Sequence, residues 1–133
     1  MNRSTTSLRV RYPEVDRMGV VHHTHFFVWF EIGRTELLRD LGCPYFEMEE
    51  RGILMPVVEA TCRYRSPARY DDLLEVETAL ESISASRVTF TYLLRRKGNE
   101  RPLAEGRTVH ATVNRDGEVI RLPAAYRDLL SLR

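Results

Sequence analysis

His23-Thr24-His25-Phe26-Phe27-Val28-Trp29-Phe30-Glu31-Ile32-Gly33-Arg34-Thr35-Glu36-Leu37-Leu38-Arg39-Asp40-Leu41 is the one long stretch of this sequence whose apolar residues recur at a helical period. Phe26, Phe30, Gly33, Leu37 and Leu41 follow one another at steps of three and four, with Phe27, Arg34 and Leu38 alongside. Such a stripe marks the buried face of a helix. Gly42 and Pro44 come directly after it and form a stop signal. Gly33 lies on the stripe, where it lowers helix propensity, so another element is expected to approach closely there. A short helical turn is read over 45–50.

On both sides of this helix the period changes to two. Leu8 and Val10 share a face in a first strand over 7–11, which Tyr12-Pro13 interrupts because proline lacks a ladder donor. After Pro56, Val58, Ala60, Cys62 and Tyr64 alternate with Glu59, Thr61, Arg63 and Arg65. Leu74, Val76, Thr78 and Leu80 form a second alternating set, and Val88, Phe90, Tyr92 and Leu94 a third. Val109, Ala111 and Val113 close a fourth strand that starts near Leu103. Each pattern suits a sheet with one buried and one polar face. Breaks fall at 82–86, at Lys97-Gly98-Asn99 and at Asp116-Gly117, the last two being hairpin signals. A short last strand is read over 119–122, and Pro123 opens a C-terminal helix. One long helix followed by consecutive antiparallel strands means an α+β fold in which a five- or six-stranded sheet wraps the helix. Its open edges invite pairing with a second copy.

Composition narrows the function classes. The 133 residues suit a single domain spanning 1–133. Lys plus Arg is 20 and Asp plus Glu 19, a net charge of 20 − 19 = +1. Nothing therefore draws the chain as a whole to nucleic acid or an anionic membrane. No apolar run approaches the roughly 20 residues that span a bilayer. Residues 1–7 carry no signal-peptide pattern. Two cysteines, Cys43 and Cys62, suit a reducing compartment, and a cytoplasmic location is expected.

The chemistry points to Tyr12-Pro13-Glu14-Val15-Asp16-Arg17-Met18-Gly19-Val20-Val21-His22-His23. Asp16 lies a few residues before a helix whose first turn has free N–H groups and a favourable dipole for negative charge. A carboxylate in a polar loop is most often a solvated turn residue. Facing a helix N-terminus across a small gap, it could also attack a carbonyl carbon, or activate a water, while an N–H group holds the oxygen as it becomes negative.

The spacing Tyr12-x-x-x-Asp16-x-x-Gly19-Val20-Val21-x-His23, with Phe27-Val28-Trp29-Phe30-Glu31 and Arg34-Thr35-Glu36-Leu37-Leu38 after it, resembles the 4-hydroxybenzoyl-CoA thioesterase family, nearest its YbgC-type acyl-CoA thioesterase branch. Ser66-Pro67-Ala68-Arg69-Tyr70-Asp71-Asp72 also resembles the family's segment before its second long strand. The resemblance implies a hot-dog fold assembled as homodimers or homotetramers. It implies acyl-CoA as substrate, with coenzyme A entering as part of that substrate and no other cofactor. It places the catalytic aspartate on Asp16, the site tyrosine on Tyr12 and the site histidine on His23, whose backbone N–H would polarise the thioester carbonyl. His22, His25 and Phe26 depart from the tyrosine, asparagine and tyrosine usual in that branch, which bears on the acyl group chosen.

The remaining candidates carry plainer readings. Arg63, Arg65 and Arg69 are read as a local basic cluster for the coenzyme A phosphates, since the guanidinium fork suits them and the chain has no Gly-rich phosphate loop. His22, His23 and His25 lack the spacing of a metal triad, and no metal is expected. Glu31 is read as a structural partner of Arg34. Cys43 and Cys62 are read as structural. The leading expectation is hydrolysis of a short aliphatic or aromatic acyl-CoA. The alternatives are a non-catalytic module that binds acyl thioesters, and a hot-dog dehydratase, which Asp16 at the motif position disfavours.

Overall fold

The structure is a computed structural model that describes residues 2–131. Five strands form one antiparallel sheet: β1 (Arg3–Arg9), β2 (Val57–Tyr64), β3 (Leu73–Ile83), β4 (Arg87–Arg96) and β5 (Pro102–Ala111). Their spatial order is β1-β3-β4-β5-β2, so β1 and β2 are the edges. The helices are α1 (His25–Asp40), α2 (Tyr45–Glu50) and α3 (Ala124–Ser131).

α1 lies against the inner face of the sheet and buries Phe26, Trp29, Phe30, Gly33, Leu37 and Leu38. Its end is a Schellman motif: Cys43 N–H bonds Leu38 O at 3.0 Å and Gly42 N–H bonds Arg39 O at 3.1 Å, with Gly42 at φ +87°. The close approach expected at Gly33 is real. A Cβ there would stand 2.2 Å from Thr78 Oγ1 and 2.8 Å from Val76 Cγ1, so β3 sits almost on the helix backbone. A second contact of this kind was not legible in the sequence. Gly106 of β5 leaves room for the Phe30 ring, which a Cβ would meet at 2.3 Å. Phe30 in turn stacks on Tyr92 with centroids 4.5 Å apart.

Several boundaries differ from the sequence reading. The first strand is Arg3–Arg9, not 7–11. The chain pairs with β3 from Arg3 onward, which puts Ser4 and Thr6 on the half-buried face, where polar side chains leave no apolar alternation. Val10 leaves the strand but stays buried, bonded through its N–H to Asp72 O at 2.9 Å. α1 begins at His25, because His22 O accepts from His25 N–H at 3.1 Å and closes a turn first. The last strand read over 119–122 is reduced to a single bridge, Val113 to Val119, so the sheet has five strands. The largest difference concerns β2. Its alternation suggested one buried face, yet every residue except the half-buried Cys62 is exposed, including Val57, Val58 and Tyr64. As an edge strand it pairs only with β5, and among the described residues its apolar side chains are left largely exposed, Tyr64 meeting the start of α1. Cys43 and Cys62 are both free thiols.

Candidate active site

The loop before α1 is organised by a residue that sequence reasoning passed over. Glu14 sits in a 3-10 turn over Tyr12–Glu14 and is buried. Its Oε1 accepts from Arg11 N–H at 2.7 Å. Its Oε2 accepts from Trp29 Nε1–H at 3.2 Å and from Arg11 Nη2 at 3.4 Å. Its backbone oxygen accepts from His22 N–H at 3.1 Å. A buried carboxylate demands such donors, and here they tie the strand exit, the loop and the helix together. The only sequence signal for it was the single tryptophan on the buried stripe, whose indole N–H needs an acceptor.

Asp16 follows two residues later. Its Oδ1 accepts from Met18 N–H at 2.8 Å and Val20 N–H at 3.2 Å, while Asp16 N–H bonds Val20 O at 2.9 Å. The side chain is exposed and forms no ion pair, and Oδ2 has no partner among the described residues. Across the loop, Val21 N–H bonds Ala68 O at 2.9 Å and Val20 bridges Arg69, so the segment around Arg69 is laid directly against the Asp16 loop.

His23 stands between this loop and α1. Its backbone N–H has no acceptor among the described residues, whereas those of His22 and Thr24 are both used. Its carbonyl accepts from Tyr64 O–H at 3.1 Å. The imidazole is exposed, stacked on His22 at 4.4 Å and edge-on to Tyr64 at 5.8 Å. Burial pushes the Tyr64 phenol up to about 12, so it stays a proton donor throughout the physiological range. His23, Phe26, Val21, Tyr64, Arg65 and the Ser66-Pro67 pair line an open cleft of about 300 Å³ at the start of α1.

The expected site residues are therefore distributed. His23 and Arg65 line the cleft, while Asp16 lies on the adjoining loop outside its lining. Tyr12 is largely exposed and packs edge-on against Tyr70 at 5.7 Å. The three arginines do not form one cluster. Arg65 faces the cleft but its Nε is bonded to Glu105. Arg63 lines a separate depression over β4 and β5, and Arg69 lies exposed beside Val20. Side chains two apart on an edge strand share a face, but the Glu105 carboxylate captures one of them. The ion pair read between Glu31 and Arg34 is also absent: neither residue has a salt-bridge partner among the described residues.

Comparison with known proteins adds the chemistry. The family model described as the thioesterase-like superfamily matches residues 10–130. The chain belongs to that superfamily. The acyl-CoA thioesterase YbgC of Haemophilus influenzae is 34% identical over 90 residues, 67% of this chain and 66% of that protein. Among solved structures, a hypothetical protein, TT1821, from Thermus thermophilus superposes with TM-score 0.90 at 40% identity, covering 96% of this chain and 97% of the other. A DHNA-CoA thioesterase from Staphylococcus aureus superposes with TM-score 0.89 at 30% identity, covering 96% and 86%. The fold is the hot-dog fold, and at the level of its family this chain is a thioester hydrolase, as the resemblance implied.

Proposed function

We propose that this protein hydrolyses an acyl-CoA, short aliphatic or aromatic in its acyl part, to the carboxylic acid and free coenzyme A. The observation that carries this reading is the unpaired His23 N–H at the mouth of the cleft, one loop away from a carboxylate with a free oxygen. A thioester carbonyl seated there would direct its oxygen to the His23 N–H. One such preorganised donor is worth about 2.7–4 kcal/mol as the oxygen becomes negative. Asp16 Oδ2 acts as nucleophile or as general base toward water. On either route one water is consumed, the C–S bond breaks and the thiolate leaves. A thiol pKa of about 8.5 makes that departure easy without a strong acid. Tyr12 stands at the outer edge of the same loop. Of the three arginines, Arg65 at the cleft meets the phosphates of coenzyme A by exchanging Glu105 for a phosphate oxygen, Arg69 lies on the adjoining segment within reach of the same loop, and Arg63, over its separate depression, drops out of the set.

The exposed apolar edge of β2, with Val57, Val58 and Tyr64, supports pairing with a second copy, giving a homodimer that can assemble further into a tetramer. No helix among the described residues is long and apolar enough to cross a membrane; a cytoplasmic location is part of this proposal.

The test is thiol release from short, long and aromatic acyl-CoAs by wild type and Asp16→Asn. Turnover should fall by two orders of magnitude or more in the variant while its fold is kept. His23→Ala should retain much of kcat, since the N–H belongs to the main chain. Wild-type turnover in Asp16→Asn removes the proposal. One observation favours a second reading, a non-catalytic module that binds acyl thioesters: Asp16 spends Oδ1 on its own turn and lies outside the cleft lining. Tight binding with no thiol release in the same assay would select it.

A further inference from the structure

Away from the catalytic loop, α1 carries a half-buried cation, Arg34, with no ion-pair partner among the described residues. Arg34 opens into a cavity of about 210 Å³ bounded by Thr35, Leu38, Tyr45, Met55 and His110. No carboxylate lies within ion-pair distance of its guanidinium among the described residues, although the exposed Glu31, one turn back, is part of the cavity lining. Withdrawing a charge from water without a partner is unfavourable.

The hydrogen-bond directions around this cavity are determined. Met55 O can only accept, so His110 Nδ1 at 2.9 Å is its donor. His110 Nε2 then accepts from Thr108 Oγ1–H at 2.9 Å, and Thr108 Oγ1 accepts from Tyr92 O–H at 2.5 Å. The Tyr92 oxygen is left with its lone pairs beside Arg34. His110 is thereby held neutral and fully used, and burial lowers its pKa to about 4. Tyr45 O accepts from Met55 N–H at 2.8 Å, which leaves the Tyr45 proton free to donate. The cavity wall thus offers a guanidinium, a phenolic O–H and the Thr35 O–H, with the exposed Glu31 carboxylate also in the lining and apolar sides from Leu38, Met55, Pro56 and Val57.

We propose that this cavity is a carboxylate-binding site in which Arg34 supplies the charge and Tyr45 and Thr35 supply the flanking donors. The pairing of a guanidinium fork with a carboxylate is the geometry it suits best. At about 30 Å³ per water-sized group, the volume admits a carboxylate with a few carbons. Glu31, Arg34 and Val57 also line a second cleft of about 280 Å³ that runs past Phe27 and Ala60 toward the start of α1. From Phe26 to Arg34 is eight residues, about 12 Å along the helix at 1.5 Å each. A carboxylate can therefore come from two sources: the far end of a dicarboxylic acyl thioester, which rests on the thioesterase reading, or a free carboxylic acid, which does not.

The experiment has two arms on the full-length protein. In the first, sodium glutarate is titrated while His110 and Tyr92 ring resonances are followed, in wild type, Arg34→Gln and Arg34→Lys, with sodium chloride as ionic-strength control. In the second, kcat/KM for glutaryl-CoA and sebacoyl-CoA is compared with that for the uncharged hexanoyl-CoA and decanoyl-CoA. Glutarate should shift both rings in wild type and in Arg34→Lys but not in Arg34→Gln. A substrate source predicts a preference for the charged thioesters of about tenfold or more, lost in Arg34→Gln with the uncharged rates unchanged. Glutarate shifts without that preference support the site and assign it to a free acid. Absence of both effects in folded wild type overturns the proposal. Absence of all thioester turnover defeats the hydrolase reading alone, and the glutarate arm still decides the site.

Discussion

Glu14 is the residue whose replacement should disturb this protein most for the smallest change in size. Both carboxylate oxygens face N–H donors, Oε1 toward Arg11 N–H and Oε2 toward Trp29 Nε1–H and Arg11 Nη2. Glu14→Gln keeps one acceptor and turns the other position into an NH₂ that faces a donor. At least one charge-assisted bond is lost and a buried donor is orphaned, a cost of about 1.5–3 kcal/mol. Glu14→Ala removes all three acceptor contacts and leaves the buried indole N–H unpaired, and should cost about 3 kcal/mol. With a urea m-value of about 1–3 kcal/mol per molar, Glu14→Gln should lower the unfolding midpoint by roughly 1 M. Trp29 is the only tryptophan, so its emission reports directly on the broken indole bond. Because Glu14 O also holds His22 N–H, the relation between Asp16 and the His23 N–H loosens, and kcat should drop with stability. A Glu14→Gln variant within 0.5 kcal/mol of wild type, with unchanged tryptophan emission, would refute the reasoning.

Three further outcomes are expected. Gly33→Ala places a methyl 2.2 Å from Thr78 Oγ1, and the overpacking, about 1–3 kcal/mol, should exceed the helix-propensity gain of about 1 kcal/mol. Urea unfolding should show net destabilisation, partly relieved by adding Thr78→Ala. His110 is depressed from 6.5 to about 4, so between those values the unfolded chain binds a proton that the folded chain refuses. Stability held above pH 6.5 should therefore fall by roughly 3 kcal/mol on acidification toward pH 4 and level off below, an increment missing from His110→Gln in matched urea titrations. Val58→Lys on the exposed β2 edge should shift the protein toward monomer in light scattering, and an unchanged oligomer would remove β2 as the pairing edge.

Most of the architecture was legible along the chain. The stripe on α1, its glycine stop, the period-two runs of β3, β4 and β5 and the close contact at Gly33 all follow from local pattern and side-chain size, which act between neighbours in sequence. The loop motif was legible too, and with it Asp16 and the His23 N–H as candidates. What the sequence could not reveal depends on which strands become edges. β2 carries the same alternation as β3, yet its place at the end of the order β1-β3-β4-β5-β2 leaves it uncovered. Ser4 and Thr6 join a strand because β3 offers them a partner, not because their own pattern asks for one. Glu14 beneath Trp29, Arg65 on Glu105, and Arg34 facing His110 rather than Glu31 join residues 15 to 76 positions apart. Periodicity records which face of an element is apolar; only packing determines what that face, or a charge beside it, will meet.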